Sequence, residues 1–149
     1  NYDRMKSSTL YTALALAGAT PFLACAVLPL VGIDTIEPLG ALDSLASSYG
    51  LAILCFLAGA HWATYLLKQA DIRFNLFISS NIVFLVVWLS FVIANLELAL
   101  GLQVIAFLYL LFVDYRLLSM NVISNTYFKV RSLATALAVV SLSVILFSQ

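Results

Sequence analysis

Five long apolar stretches, separated by short polar breaks, make up almost the whole of this 149-residue chain. A helix needs about 20 residues to cross the hydrocarbon core of a bilayer, which is about 30 Å thick. On that criterion the spans fall at about 9–33, 45–67, 74–96, 98–118 and 132–147. The composition agrees, since 64% of the residues are hydrophobic and 9% are charged, against about 45–50% and about 25% in soluble domains. The sequence therefore predicts an all-α integral membrane protein, a five-helix transmembrane bundle that forms a single domain over residues 1–149.

The positive charges predict how the chain lies in the membrane, because short loops rich in Lys and Arg stay on the cytoplasmic side. With five alternating spans, all the positive residues fall on one side: Arg4, Lys6, Lys68, Arg73, Arg116, Lys129 and Arg131. The opposite side carries the acidic residues Asp34, Glu37, Asp43 and Glu97. We therefore expect the N-terminus inside and the C-terminus outside.

The first span contains Pro21 and Pro29 and is longer than the apolar core of a secretory signal, so we expect it to be a helix of the mature protein. The sequence begins at Asn1 and not at Met, which leaves room for an initiator residue or a processed leader before it. We expect a multi-pass protein of the bacterial inner membrane, or of the mitochondrial inner membrane if the source is eukaryotic. The expected partners are the lipid bilayer and other membrane-protein subunits or further copies of the chain; the zero formal net charge offers no attraction for nucleic acid.

His61 is the most informative single residue, because it lies inside the second apolar stretch, where an ionisable group needs a partner or a function. Counting back from Lys68 places it about 10 Å from the cytoplasmic end of its helix. Asp114 and Arg116 end the fourth span at a similar depth, and Arg131 opens the fifth. The sequence therefore predicts a polar cluster of these side chains on the inner side of the bundle.

Three interpretations of this cluster remain open. In the structural one, a neutral His61 donates a hydrogen bond to Asp114 or to a carbonyl and locks helices together. In the second, His61 and an arginine bind a quinone headgroup, a lipid phosphate or a small anion beside Trp62 and Tyr65. In the third, His61 is a single axial ligand to a tetrapyrrole; with one His in the chain, a bis-His haem or a zinc site is excluded. We predict no metal site and no fixed cofactor, with a quinone or lipid as the possible ligands.

Small residues predict helix packing, since they let membrane helices approach closely. Gly59 and Ala63 have small-xxx-small spacing in the second span, which we expect to pack on the first. Pro21 should bend the first helix, because a proline leaves a carbonyl one turn earlier without its donor. Between the fourth and fifth spans, residues 118–131 are expected to be irregular, with room for a short interfacial helix.

The sequence offers no template for catalysis. It lacks HExxH, GxSxG, a Walker loop and a Cys/His array, and it has no pair of intramembrane carboxylates suited to a proton relay. We therefore expect a protein that is not an enzyme.

Four segments together resemble a known family. They are Ala17 to Phe22 in the first span, Tyr49-Gly50 with Phe56 to Trp62 in the second, Asp114-Tyr115-Arg116, and Tyr127 to Thr135. In this order they are similar to the domain-of-unknown-function 3429 family, the relatives of the mitochondrial transmembrane protein 69. The resemblance covers nearly the whole chain and implies a multi-span inner-membrane fold without an established activity.

These observations lead to two hypotheses about function. We expect a non-catalytic accessory subunit or assembly partner of a larger inner-membrane complex, with a respiratory complex as the expected class. The alternative is a binder or carrier of a quinone, lipid or anion, using an inner-side pocket around His61. A carrier predicts that His61 and Arg131 face an internal cavity, whereas a subunit predicts that they are tied to neighbouring helices and that aromatics such as Trp88, Phe91 and Tyr109 face a partner.

Overall fold

Five long α-helices make up most of the described part of the chain. The computed structural model describes residues 2–37, 39–93 and 95–148, with side chains from residue 9 onward, so the side chains of Arg4 and Lys6 lie outside the described part. The helices are α1 (Tyr2–Val27), α2 (Leu42–Lys68), α3 (Leu76–Ile93), α4 (Leu96–Ser119) and α5 (Asn125–Phe147). All five are long and apolar enough to cross a membrane. The predicted multi-pass helical bundle with five spans is therefore confirmed.

The helices form a ring with one addition. Helices α1, α2, α4 and α5 contact one another in the order α1, α2, α4, α5 and back to α1, whereas α3 packs outside this ring against α2 and α4. The short connections after α2 and α4 lie at the same end of the bundle, which we call the basic end because it carries Lys68, Arg73 and Arg116. The opposite, acidic end carries Asp34 and Glu97.

Two clusters of apolar side chains form the core. The larger one joins the ring helices through large buried residues such as Phe22, Leu54, Leu100 and Leu142. The smaller one lies near the basic end, where α2, α3 and α4 meet, and includes Tyr65. Because the outside of the ring is also apolar, burial and not hydrophobicity distinguishes the packed faces, as expected for helices in lipid.

Hydrogen bonds at the helix ends set the element boundaries. The side chain of Asn95 accepts a hydrogen bond from the backbone N–H of Leu98, at 2.8 Å, and so caps α4. The hydroxyl of Ser124 accepts one from the N–H of Tyr127, at 3.1 Å, and so caps α5. Side-chain acceptors at these positions satisfy N–H groups that a helix leaves without a partner.

The prediction for residues 118–131 is wrong, because α5 begins directly after its cap at Ser124. Helix α4 runs to Ser119 and α5 already begins at Asn125, so a short turn replaces the expected irregular segment with its separate interfacial helix. Asn121 lies in this turn with a φ of 60°, a conformation that Asn adopts more readily than most residues. The fifth span therefore starts seven residues before the predicted position 132, and Arg131 lies inside the helix.

The connection between α1 and α2 also differs from a plain loop. Helix α1 ends at Val27 and a 3₁₀ helix, Leu28–Val31, follows it with Pro29 near its start. A two-stranded antiparallel hairpin then pairs β1 (Thr35–Ile36) with β2 (Gly40–Ala41). This hairpin lies at the acidic end and leads directly into α2.

Candidate functional site

A buried ionic triplet joins three helices. Asp114 of α4 accepts two hydrogen bonds on Oδ2 from Arg131 of α5, from Nε at 3.0 Å and from Nη2 at 2.8 Å. Its other oxygen, Oδ1, lies 2.8 Å from Nε2 of His61 on α2. All three residues are buried, with Arg131 the most exposed at 9%. The triplet therefore links α2, α4 and α5 across the ring.

The three helices bring these side chains to one depth. His61 lies seven residues before the end of α2, Asp114 lies five residues before the end of α4, and Arg131 lies six residues after the start of α5. At about 1.5 Å per residue each is about 8–10 Å from the basic end of its helix. Consecutive helices run in opposite directions. Residues therefore lie at the same depth when they are equally far along their helices from the basic end, whether they come before or after the turn.

Charge and hydrogen bonding define the proton on His61. Asp114 bonded to Arg131 is a carboxylate, which accepts hydrogen bonds and donates none. The close atom of His61, Nε2, must therefore carry a proton and donate to Oδ1. With a neutral imidazole the triplet has zero net charge, which is the arrangement that membrane burial favours.

Two residues predicted for the cluster lie elsewhere. Arg116 is exposed at the basic end, where its guanidinium lies 5.7 Å from the ring centre of Phe74. Trp62 is also exposed and packs on Phe77, with 5.0 Å between the ring centres. Each is next to or near a triplet residue in sequence, but the 3.6-residue period of the helix turns it to the outside.

The residues predicted for helix packing also face outward. Pro21, Gly59 and Ala63 are all exposed, and a Cβ added at Gly59 would meet no neighbouring atom within 4 Å. The close approach between α1 and α2 occurs at Gly18 instead, whose carbonyl accepts a 2.6 Å hydrogen bond from the hydroxyl of Tyr49. The two helices do pack, but not on the face that carries Gly59 and Ala63.

Two cavities adjoin the triplet. The smaller, the histidine cavity, has a volume of about 250 Å³ and is lined by His61, Asp114 and Thr64, among others. The larger, the α1–α5 groove, has a volume of about 420 Å³ and is lined mainly by apolar residues of α1 and α5, with contributions from α2 and α4. Tyr11 and Tyr127 line both cavities, and their rings contact each other with 5.8 Å between the centres.

Arg131 and Thr135 bring polar groups to the groove. Both line it, and both are buried. The hydroxyl of Thr135 has no hydrogen-bond partner among the residues that the structure describes. The triplet thus separates a histidine side from an arginine side, each with its own cavity.

The sequence reasoning missed a second polar contact, at Gln103 of α4. This residue is fully buried, and its Nε2 donates a 2.8 Å hydrogen bond to the backbone carbonyl of Ser47. Gly50 makes room for it, because a Cβ at this position would overlap the Gln103 side chain. An amide in the middle of an apolar span was the signal that could have identified it.

Within the described ranges 9–37, 39–93 and 95–148, no three His, Cys, Asp or Glu side chains come together in a way that could hold a metal ion. The triplet contributes one imidazole and one carboxylate, and the latter is occupied by Arg131.

The fold and the site define a multi-pass α-helical membrane protein whose helices are joined by a buried His–Asp–Arg triplet. A family model described as "Protein of unknown function (DUF3429)" matches residues 7–147. The chain belongs to this family, which confirms the resemblance to the domain-of-unknown-function 3429 family; the relation to the mitochondrial transmembrane protein 69 stays a prediction. It matches no curated protein and no solved structure.

Proposed function

We propose that this protein is a non-catalytic accessory subunit or assembly partner of a larger membrane complex, of the respiratory class, in the bacterial inner membrane. The observation that carries the proposal is the exposed amide of Asn81 on α3. Helix α3 lies outside the ring, so this amide faces the surroundings of the bundle and not its core.

Asn81 has hydrogen-bonding capacity that a lipid chain cannot satisfy. Its Nδ2 donates to the backbone carbonyl of Phe77 at 2.7 Å, which uses one of its two N–H groups and leaves the side-chain oxygen for another donor. A side-chain amide in a membrane helix is a typical contact to a second helix. An adjoining helix of a partner subunit would supply that donor.

The surface around Asn81 suits a helix. The exposed residues Ile78, Leu85, Trp88 and Val92 lie with Asn81 at alternating spacings of three and four residues, which is the seam of two packed helices. A single polar residue in such a seam fixes the register of the pair. We call these five residues the α3 seam. Trp88 is exposed and therefore available to a partner, which supports the proposal.

The test compares two substitutions that each replace an exposed polar side chain by an apolar one. Asn81→Leu removes the amide, and Thr20→Val is the matched control, because Thr20 is exposed on α1 and its hydroxyl also bonds to a carbonyl of its own helix. Each variant is purified from native membranes in a gentle detergent, and co-purifying proteins are quantified by mass spectrometry. We expect a stoichiometric partner with the wild type and with Thr20→Val, and its loss with Asn81→Leu.

Three results would count against this function. One is a wild-type protein that purifies alone, and another is a partner that stays bound to Asn81→Leu. The third is a homo-oligomer that dissociates on this substitution, which would keep the α3 seam as an interface but contradict the accessory role.

The proposed orientation puts the basic end in the cytoplasm, in agreement with the distribution of positive charge. It is tested in a chain whose native cysteines, Cys25 and Cys55, are replaced by alanine. New cysteines at the exposed positions Arg73 and Glu97 then report the two ends. In right-side-out vesicles, a membrane-impermeant maleimide should label position 97 and not position 73, and the reverse pattern would invert the topology.

A further inference from the structure

The α1–α5 groove has the dimensions of a ligand site. Its volume is about 420 Å³, whereas an apolar cavity of about 150 Å³ holds a benzene molecule and typical ligand pockets begin near 300 Å³. Small residues create the space, since Ala15 and Gly18 of α1 face Ala134 and Ala138 of α5 across it. The groove can therefore take a six-membered ring together with part of an attached chain.

The groove also opens to the membrane. Two of the side chains that line it, Leu14 and Phe56, are 63% and 72% exposed, so its wall between α1 and α2 reaches the lipid-facing surface. An apolar tail can leave the groove there without entering water. This geometry suits a molecule that partitions into the bilayer.

Two of the residues that line the groove, Arg131 and Thr135, carry hydrogen-bond donors one turn apart. Arg131 and Thr135 are four residues apart on α5 and so lie on the same face of the helix. Among the described residues, Arg131 hydrogen-bonds to Asp114 through Nε and Nη2, which uses two of the five N–H groups of a guanidinium. The Thr135 hydroxyl, 2% exposed, has no described partner. A buried hydroxyl without a partner is unfavourable, and an acceptor in the groove would satisfy it.

The charge of the triplet selects a neutral acceptor. Asp114 already neutralises Arg131, so an anion in the groove would be an uncompensated charge within the membrane, which is costly. A neutral carbonyl oxygen accepts the same hydrogen bonds without that penalty. Aromatic rings of Phe22, Phe107 and Tyr127 line the groove and favour a planar ring beside them.

We propose that the α1–α5 groove binds a neutral amphiphile with a ring carbonyl and an apolar tail, the chemistry of a benzoquinone lipid. Its carbonyl accepts hydrogen bonds from Arg131 and Thr135, and its tail leaves the groove between Leu14 and Phe56. The site lies on the arginine side of the triplet, and not in the histidine cavity that the sequence pointed to. This binding does not depend on the accessory role, because the α3 seam is on a helix that does not line the groove.

The test is a titration of the purified protein in detergent with decyl-benzoquinone, in which calorimetry measures the heat of binding. Thr135→Val removes the hydroxyl and keeps the shape of the side chain, and we expect it to weaken binding about five-fold, the effect of one neutral hydrogen bond. Ser141→Ala is the matched control, because Ser141 is a second buried hydroxyl of α5 without a described partner but does not line the groove. It should bind the quinone like the wild type.

A steric variant gives a second readout. Ala15→Phe fills the groove from α1 and should abolish binding, whereas Ala17→Phe, at an exposed position of the same helix outside the groove, should not. Dioctanoylglycerol, a lipid with ester carbonyls and no ring, is the control ligand in the same titration.

Four results would overturn the proposal: no quinone binding by the wild type, equal binding by Ala15→Phe, the same loss in Ser141→Ala as in Thr135→Val, or binding of dioctanoylglycerol in place of the quinone. Loss of the co-purifying partner in Asn81→Leu with unchanged quinone binding would separate this inference from the proposed accessory role.

Discussion

Replacing Asp114 by Asn should be among the most destabilising single changes in the protein. Asn is nearly the same size as Asp, so the substitution removes the charge and leaves the packing. Arg131 then keeps a full positive charge at 9% exposure without its counter-ion. Breaking a buried ion pair by removing one partner costs about 3–5 kcal/mol, because the remaining charge is uncompensated. We expect a loss of this size in the free energy of unfolding.

Two further variants separate charge from hydrogen bonding. His61→Ala removes the one described hydrogen bond to Oδ1 and leaves the Asp114–Arg131 pair intact, so it should cost less, about 1–2 kcal/mol. The double variant Asp114→Leu with Arg131→Met removes both charges. Since apolar residues of similar volume often replace a buried ion pair without loss, this variant should be more stable than Asp114→Asn.

The assay is reversible unfolding in mixed micelles, with the SDS fraction increased stepwise and the helix content followed by circular dichroism. The midpoint gives the free energy of unfolding for each variant. Unfolding of Asp114→Asn at the wild-type midpoint would refute the reasoning, because it would mean that the pair contributes nothing to the bundle. A double variant that is as unstable as Asp114→Asn would show that packing, and not charge, explains the loss.

Two smaller changes test the contacts of α2. Gly50→Ala should cost about 1–3 kcal/mol, since its Cβ would displace the buried side chain of Gln103, whereas Gly59→Ala, with open space around it, should be neutral or stabilise the helix by about 0.5–1 kcal/mol. The same SDS unfolding measurement checks both, and a neutral Gly50→Ala would contradict the close approach. Tyr49→Phe removes the hydrogen bond to the carbonyl of Gly18 and should cost about 0.5–1.5 kcal/mol by the same measurement; an unchanged midpoint would show that this bond adds nothing.

Hydropathy was sufficient to predict the spans, because a bilayer accepts only long apolar helices whose backbone groups are satisfied internally. It was insufficient at the start of α5, where the first turns are polar. The hydroxyl of Ser124 caps this helix, and Arg131 can be buried inside it since Asp114 neutralises the charge. Hydropathy treats each residue alone and therefore starts the span only after the last charged residue, Arg131.

The faces of the helices were harder to predict than their number. Gly59 and Ala63 were expected to pack inside, but the inward face of α2 is the one that carries Ala58 and His61. Both faces have small residues, and small residues alone do not distinguish a helix interface within the chain from a surface that faces lipid. The polar partner of His61 decides the rotation of α2, and that partner is 53 positions away in sequence.

The triplet gives one physical basis to both proposals. By joining α2, α4 and α5 near the basic end, it fixes the ring against which α3 packs, and a fixed ring presents the α3 seam in one orientation. The same bonds hold the guanidinium of Arg131 at the edge of the α1–α5 groove, where a mobile arginine would extend toward the headgroups. Because Asp114 cancels the charge of Arg131, the pair as a whole is neutral. In the proposed site, Arg131 therefore donates hydrogen bonds to a neutral acceptor and does not bind an anion. A residue that sequence analysis would class as a phosphate anchor is thereby suited to a carbonyl ligand.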